Sequence, residues 1–242
     1  MHSSPNVGER RAGFAPTMLI LHYTGMPSAA KAIDWLARPE SKVSCHYVID
    51  VTGRITQMVP ERMRAWHAGV AHWAGESDIN SASVGIEIQN PGHEDGYHAF
   101  PRAQMRAVRD LALDITMRND IAPERVLAHS DVAPLRKIDP GEKFDWRWMA
   151  HAGVGHWVPA VPRRAHERAC DDPGMSEAMR SMLVAYGYGV GVDGASGQDL
   201  ATVVRAFQRH FRPTCVDGIV DRSTLATLER LLDALAKGAI LH

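Results

Sequence analysis

The sequence predicts an α/β fold, a mixed central β-sheet with helices packed on it, followed by a small C-terminal three-helix module. Three observations lead there. Residues 17–21 and 84–89 are short apolar stretches of strand length, and the second alternates in period two. Other stretches carry apolar residues at helical spacing, so strands are accompanied by helices that can cover them. Near residue 160 the composition changes. A Pro- and Arg-bearing stretch, Trp157-Val-Pro-Ala-Val-Pro-Arg-Arg, separates the mixed part from one that is helical with Gly-rich turns.

Taken in order, residues 17–21 read as a buried strand that runs directly into His22, and residues 28–37 as a short helix stopped by Pro39. Residues 45–51 and 54–59 flank Asp50-Val-Thr-Gly53, a hairpin signal. In residues 84–89, Val84, Ile86 and Ile88 face one side and Glu87 the other. Pro101 opens a helix with Met105, Val108, Ala112 and Ile115 on one face, and residues 125–128 lead into His129. Residues 176–186, 199–211 and 223–237 form the three helices of the module. Their connections, Val190-Gly-Val-Asp-Gly194 and Cys215-Val-Asp-Gly-Ile-Val-Asp221, each place Asp-Gly in a tight turn. The expected organisation is an extension over 1–16, an α/β domain over 17–155, a linker over 156–172 and the helical module over 173–238.

A chain of 242 residues accommodates a medium domain and a small one. Its hydrophobic and charged fractions, 45% and 23%, are ordinary for a globular protein, and a net charge of -1 gives no electrostatic reason to expect nucleic acid or an anionic membrane as partner. Three widely spaced cysteines, Cys45, Cys170 and Cys215, suggest neither a disulfide framework nor a CxxC metal knuckle. No stretch is long enough to span a bilayer, and no secretory signal or lipoprotein box is visible. The expectation is a monomer, cytoplasmic if the chain is complete and in the cell envelope if it is exported.

The chemistry concentrates in a few residues. A strand that delivers His22 at its end, and a loop with His129 and Asp139 ten residues apart followed by Pro-Gly, offer a three-ligand catalytic zinc site with a fourth position for water. Two neutral imidazoles and one carboxylate leave the ion net positive, enough to lower the pKa of water toward neutrality. Glu87, opposite the apolar face of its strand, is the candidate general base. Lys137, two positions before Asp139, is aimed to the same side of an extended segment and is the candidate oxyanion support, with Arg136 beside it. His46, His67 and His72 compete as ligands but rank below the chosen three. Trp66 and Trp73 flank a small-residue turn and suit the wall of a saccharide or peptide groove. No HExxH helix is present, which argues against a general metalloprotease.

These residues resemble the zinc-dependent N-acetylmuramoyl-L-alanine amidases of the type-2 amidase family, which share their fold with peptidoglycan recognition proteins. The matching stretches are Leu-Ile-Leu-His22-Tyr-Thr, Ser44-Cys-His-Tyr-Val-Ile, Gln57-Met-Val-Pro-Glu, Ala65-Trp-His-Ala-Gly, Asn80-Ser-Ala-Ser-Val-Gly-Ile-Glu87 and His129-Ser-Asp-Val-Ala-Pro-Leu-Arg-Lys-Ile-Asp-Pro-Gly141. The tail resembles the peptidoglycan-binding module of the family's envelope branch. The resemblance implies one Zn²⁺ on His22, His129 and Asp139, with Glu87 as base and Lys137 as oxyanion support. It also implies hydrolysis of the amide between N-acetylmuramic acid, or its 1,6-anhydro form, and L-alanine of the stem peptide by zinc-activated water. Trp66, His67, Arg136, Tyr47 and Asn80 are then the candidate contacts to a peptidoglycan or muropeptide substrate. A non-catalytic recognition protein would be expected to have lost a ligand, and none is lost here. The tail, with Tyr186 and Tyr188 suited to saccharide contact, is expected to bind cell wall and to be dispensable for cleavage of small muropeptides.

Overall fold

A computed structural model describes residues 3–163, 173–191 and 199–240. Five strands form the central sheet in the order β4-β3-β6-β2-β7. They are β2 (Met18–Tyr23), β3 (Tyr47–Ile49), β4 (Ile55–Gln57), β6 (Ser83–Ile88) and β7 (Val126–Ala128). Strands β3, β6, β2 and β7 run parallel, and β4 pairs antiparallel with β3. The β3–β4 hairpin turns where expected. The Asp50 carboxylate accepts from the Thr52 and Arg54 N–H groups at 2.8 and 3.0 Å, and Gly53 takes φ +90, a conformation that favours glycine.

Alternation along the strands sorts the core into two layers. Leu19, Leu21, Val84, Ile86, Ile88, Val126 and Ala128 share one cluster with Met105, Val108, Ala112 and Ile115 of the helix α3 (Arg102–Asn119). The helical face read from sequence is the one that is buried. Met18, Ile20 and Leu127, of opposite parity, belong to a second cluster. The shorter helices are α1 (Ala29–Leu36), capped by Ser28, α2 (Ile79–Ala82), α4 (His129–Val132) and α5 (Trp146–His151).

Two features depart from the expected organisation. The first concerns the N-terminal stretch, expected as an extension. Strand β1 (Val7–Glu9) pairs antiparallel with β5 (Met63–Ala65), and Asn6 and Arg10 bond to carbonyls of residues 38, 43, 61, 80 and 81. The segment is thus woven into the α/β domain. The second concerns the tail helices α6 (Pro173–Tyr186), α7 (Asp199–Phe211) and α8 (Arg222–Ile240). Met179, Leu183, Val204, Phe207 and Phe211 belong to the same buried cluster as Met18, Ile20 and Leu127 of the sheet. Tyr186 and Tyr188, expected at a saccharide groove, are only 6% and 1% exposed and pack edge-on against Trp73. The module is therefore a layer of the same fold, and burial of this kind contributes the main favourable free energy of folding. The 164–172 part of the expected linker, Cys170, and residues 192–194 of the first Asp-Gly connection lie outside the described residues. Cys45 and Cys215 are free thiols. Among the described residues no helix is long and apolar enough to cross a membrane.

Candidate active site

Strand register and one returning loop bring the site together. His22 pairs with Glu87 across β2 and β6, and Leu21 pairs with Ala128 across β2 and β7, so His129 follows at the level of His22. In-register residues on parallel neighbours point to the same face. An imidazole, a carboxylate and a second imidazole therefore emerge side by side at the carboxyl ends of three adjacent strands, where open parallel sheets bind their ligands. Asp139 returns to the same point from the loop after α4, and its backbone carbonyl accepts from the Ser130 N–H at 3.0 Å.

His22 Nδ1 lies 2.9 Å from His129 Nδ1 and 3.2 Å from Asp139 Oδ2, and His129 Nδ1 lies 3.0 Å from the same carboxylate oxygen. All three residues are buried. The three edges of this triangle cannot all be hydrogen bonds. His129 Nε2 faces the Ala68 carbonyl at 3.2 Å, which can only accept, so in the neutral ring the proton sits there and Nδ1 offers a bare lone pair. A cation would satisfy all three ligand atoms at once. Zinc bonds of roughly 2.0–2.2 Å would set tetrahedral ligand atoms about 3.3 Å apart, close to the edges found.

The electrostatics follow from burial. It pulls His22 down to about 4, with the neighbouring His129 adding to the effect. Burial alone would raise the Asp139 carboxyl, but the imidazoles of His129 and His22 hold it well below the usual carboxylate range. Glu87 is pushed well above its ordinary value, first by burial and then by the Asp139 charge. Its Oε2 is shut off from solvent and has no hydrogen-bond partner among the described residues. Such a carboxylate has high affinity for a proton. A cleft of about 460 Å³ opens over the group, with His67, Glu87, His129, Arg136, Lys137 and Asp139 in its wall.

The expected substrate contacts divide. His67 and Arg136 line the cleft. Arg136 Nη2 donates to the Ala68 carbonyl at 2.9 Å and also to the Val70 carbonyl. Tyr47 does not reach the cleft: it pairs with Ile86, so it shares the face opposite Glu87, and its hydroxyl donates to Glu61 at 2.7 Å. Trp66 is also outside the cleft lining and has its indole N–H beside Gly8 of the N-terminal segment. Asn80 is occupied with the backbone, where its Oδ1 accepts from the N–H groups of His67 and Ala68 at 2.9 and 2.8 Å. Among the rival ligands, His46 is fully engaged, accepting from the Gly85 N–H at 2.9 Å and facing the Met63 carbonyl at 3.1 Å. His72 lies apart from the cleft lining, in a groove with Arg64 and Gly189.

Sequence reasoning missed Asp131, two residues from His129 in the same motif. It is fully buried and ties the site loop to the tail. Its Oδ1 accepts from the Tyr188 hydroxyl at 2.7 Å, and its Oδ2 from the Ala128 N–H at 2.8 Å and His210 Nδ1 at 2.7 Å. The signal for it was weak, an acidic residue amid apolar neighbours.

The sheet, its helices and the donor cluster at the strand ends define a hydrolase of the type-2 amidase fold. Residues 12–142 match the N-acetylmuramoyl-L-alanine amidase family and residues 176–228 a putative peptidoglycan binding domain. The chain is 37% identical to the N-acetylmuramoyl-L-alanine amidase AmiD of Escherichia coli K12 over 232 residues, 89% of this chain and 82% of that protein. It is 32% identical to the 1,6-anhydro-N-acetylmuramyl-L-alanine amidase AmpD of the same organism, over 59% of this chain and 85% of that one. Among solved structures, E. coli AmiD in complex with the substrate anhydro-N-acetylmuramic acid-L-Ala-D-gamma-Glu-L-Lys superposes with a TM-score of 0.81 at 33% identity, covering 95% of this chain and 98% of that one. AmpDh3 of Pseudomonas aeruginosa does so with a TM-score of 0.76 at 30% identity, covering 97% and 98%. The chain belongs to the N-acetylmuramoyl-L-alanine amidase family, enzymes that cleave the amide joining the muramoyl group to L-alanine.

Proposed function

We propose that this amidase is zinc-dependent, with one Zn²⁺ held by His22, His129 and Asp139, Glu87 as general base and Lys137 as oxyanion support. The observation that carries the reading is the convergence of three ligand atoms at 2.9–3.2 Å beside a carboxylate oxygen that has no hydrogen-bond partner among the described residues. When bound, Zn²⁺ supplies a Lewis acid at the scissile carbonyl and lowers the pKa of water toward neutrality. Glu87, beside His22 in the sheet and raised in pKa by burial, takes the proton of the attacking water and hands it to the departing L-alanine nitrogen. The Lys137 ammonium, in the cleft wall, offsets the negative charge that grows on the carbonyl oxygen. Arg136, latched to the 68–70 turn, lines the same wall and contacts the substrate. The substrate is a muramoyl peptide, intact or 1,6-anhydro, and the tail adds contacts to the polymer.

Purified protein incubated separately with sacculi and with anhydro-muropeptide should release peptides beginning with L-alanine, identified by mass spectrometry, and a strong chelator should stop release. Glu87→Gln should keep one zinc per chain while kcat falls by about 10²–10⁴. A Glu87→Gln enzyme with most of its kcat would show that another group is the base.

A further inference from the structure

A metal-ligating histidine needs its other ring nitrogen anchored, because that anchor fixes which nitrogen carries the proton and which offers a lone pair. For His129 the anchor is the Ala68 carbonyl. For His22 it is a third histidine, since His22 Nε2 lies 3.0 Å from His67 Nδ1. An imidazole can donate or accept at that nitrogen, so the direction of the bond is set further along. His67 Nε2 lies 3.3 Å from Ser83 Oγ, and Ser83 Oγ lies 2.6 Å from the Ile79 carbonyl. A carbonyl only accepts, so the serine hydrogen is spent there and Ser83 Oγ must accept from His67 Nε2–H. Neutral His67 then has a bare Nδ1, which accepts from His22 Nε2–H and leaves His22 Nδ1 free of hydrogen.

The surroundings hold this chain in place. The His67 ring lies flat against β6 at Gly85, where an added Cβ would stand 2.6 Å from the ring. Only glycine leaves room for the imidazole there. The backbone N–H groups of His67 and Ala68 both donate to Asn80 Oδ1. One clamped turn thus presents the side chain that anchors His22 and the carbonyl that anchors His129.

We infer that His67 and the Ala68 carbonyl, presented together by the turn that Asn80 clamps, assign the tautomers of His22 and His129, so that metal capture depends on groups that never touch the metal. His67 is then a positioning residue in place of the substrate contact expected from sequence. The inference rests on the proposed ligand set, and the test separates the two. The apoprotein is titrated with Zn²⁺ alone against a chromophoric chelator, and ¹⁵N-imidazole NMR reports which nitrogen of each ring is protonated. His22→Ala should abolish tight zinc binding; retention there overturns the ligand set itself. With His22→Ala behaving so, His67→Phe should weaken zinc binding about 10–100-fold and mix the His22 tautomers. His67→Asn, whose Oδ1 can accept where Nδ1 did, should recover most of the loss. Ser83→Ala should free His67 to adopt either tautomer and weaken binding less than His67→Phe. Wild-type affinity in folded His67→Phe, or an Nδ1–H tautomer of His67 in the wild-type spectrum, overturns the inference. The NMR reading needs no variant, so it stands even if His67→Phe fails to fold.

Discussion

Two aspartates eight residues apart, Asp131 and Asp139, are both buried and both face histidine nitrogens, yet they do opposite work. Asp131 receives three hydrogen bonds, from Tyr188, Ala128 and His210, and each oxygen is satisfied. Asp139 Oδ2 faces two imidazole nitrogens at 3.2 and 3.0 Å, and proton accounting leaves at least the His129 nitrogen with no hydrogen to give. The first is a structural rivet between the site loop and the tail. The second is a set of crowded lone pairs that a cation would complete. A buried Asp–His contact says little by itself; the count of available protons tells a rivet from a site.

The sharpest way to break this contrast is to remove each carboxylate. Asp131→Ala strands the Tyr188 hydroxyl, His210 and a backbone N–H in the interior. Removing one partner of a buried pair costs roughly 3–5 kcal/mol, so the midpoint of urea unfolding should fall markedly while one zinc per chain is still taken up. Asp139→Asn should do the reverse. Its amide can still donate to the bare imidazole nitrogen, so the metal-free protein should keep most of its stability while zinc uptake and turnover disappear. A rise in Tm on adding zinc, which mass action requires of any ligand selective for the folded state, should survive in Asp131→Ala and vanish in Asp139→Asn.

Acid should expose the next difference. His22 and His46 are each pulled down to about 4 from 6.5, first by burial. Above about 6.5 both rings are neutral in the folded and the unfolded chain. Between about 6.5 and 4 the unfolded chain binds their protons and the folded chain does not. Stability of the metal-free protein should therefore decline as pH falls through that window, by at most about 1.4 kcal/mol per pH unit for each ring. Chemical denaturation at pH 7, 5.5 and 4.5 measures it, and a flat profile would contradict neutral burial of both rings.

The smallest effect is expected at Lys137. Lys137→Ala should lower kcat more than it raises KM, because its contact strengthens only as negative charge develops. Arg136 stands beside it, so the double variant should lose more than the single. Unchanged kcat in the double variant would remove both from the chemistry.

The residues of the proposed site could be picked out of the sequence because they obey local rules. His22 ends an apolar run, Glu87 has the parity opposite to Val84 and Ile86, and His129 and Asp139 share one motif. Tyr47 was misplaced because a side chain's side of a sheet depends on register with a neighbouring strand, which no single segment encodes, whereas Trp66 follows β5 and Asn80 lies in α2, where their neighbours come from distant segments. Tyr47 is adjacent to His46 in sequence but faces the other way. The role of Asn80 needed the 67–68 turn to be seen above it. The tail helices were found from their own periodicity, but nothing in that pattern says which surface an apolar face will meet. The core shared by Met18, Ile20, Phe207 and Phe211 joins residues nearly two hundred positions apart.

That long-range packing also sets an order of events during synthesis. The strands and loop that carry Glu87, His22, His129 and Asp139 leave the ribosome well before α7 and α8, which share the core behind Met18 and Ile20. At about 5–20 residues per second, the nascent domain waits on the order of several seconds with an apolar sheet face uncovered. In that interval the uncovered face is open to chaperones or to a neighbouring nascent chain.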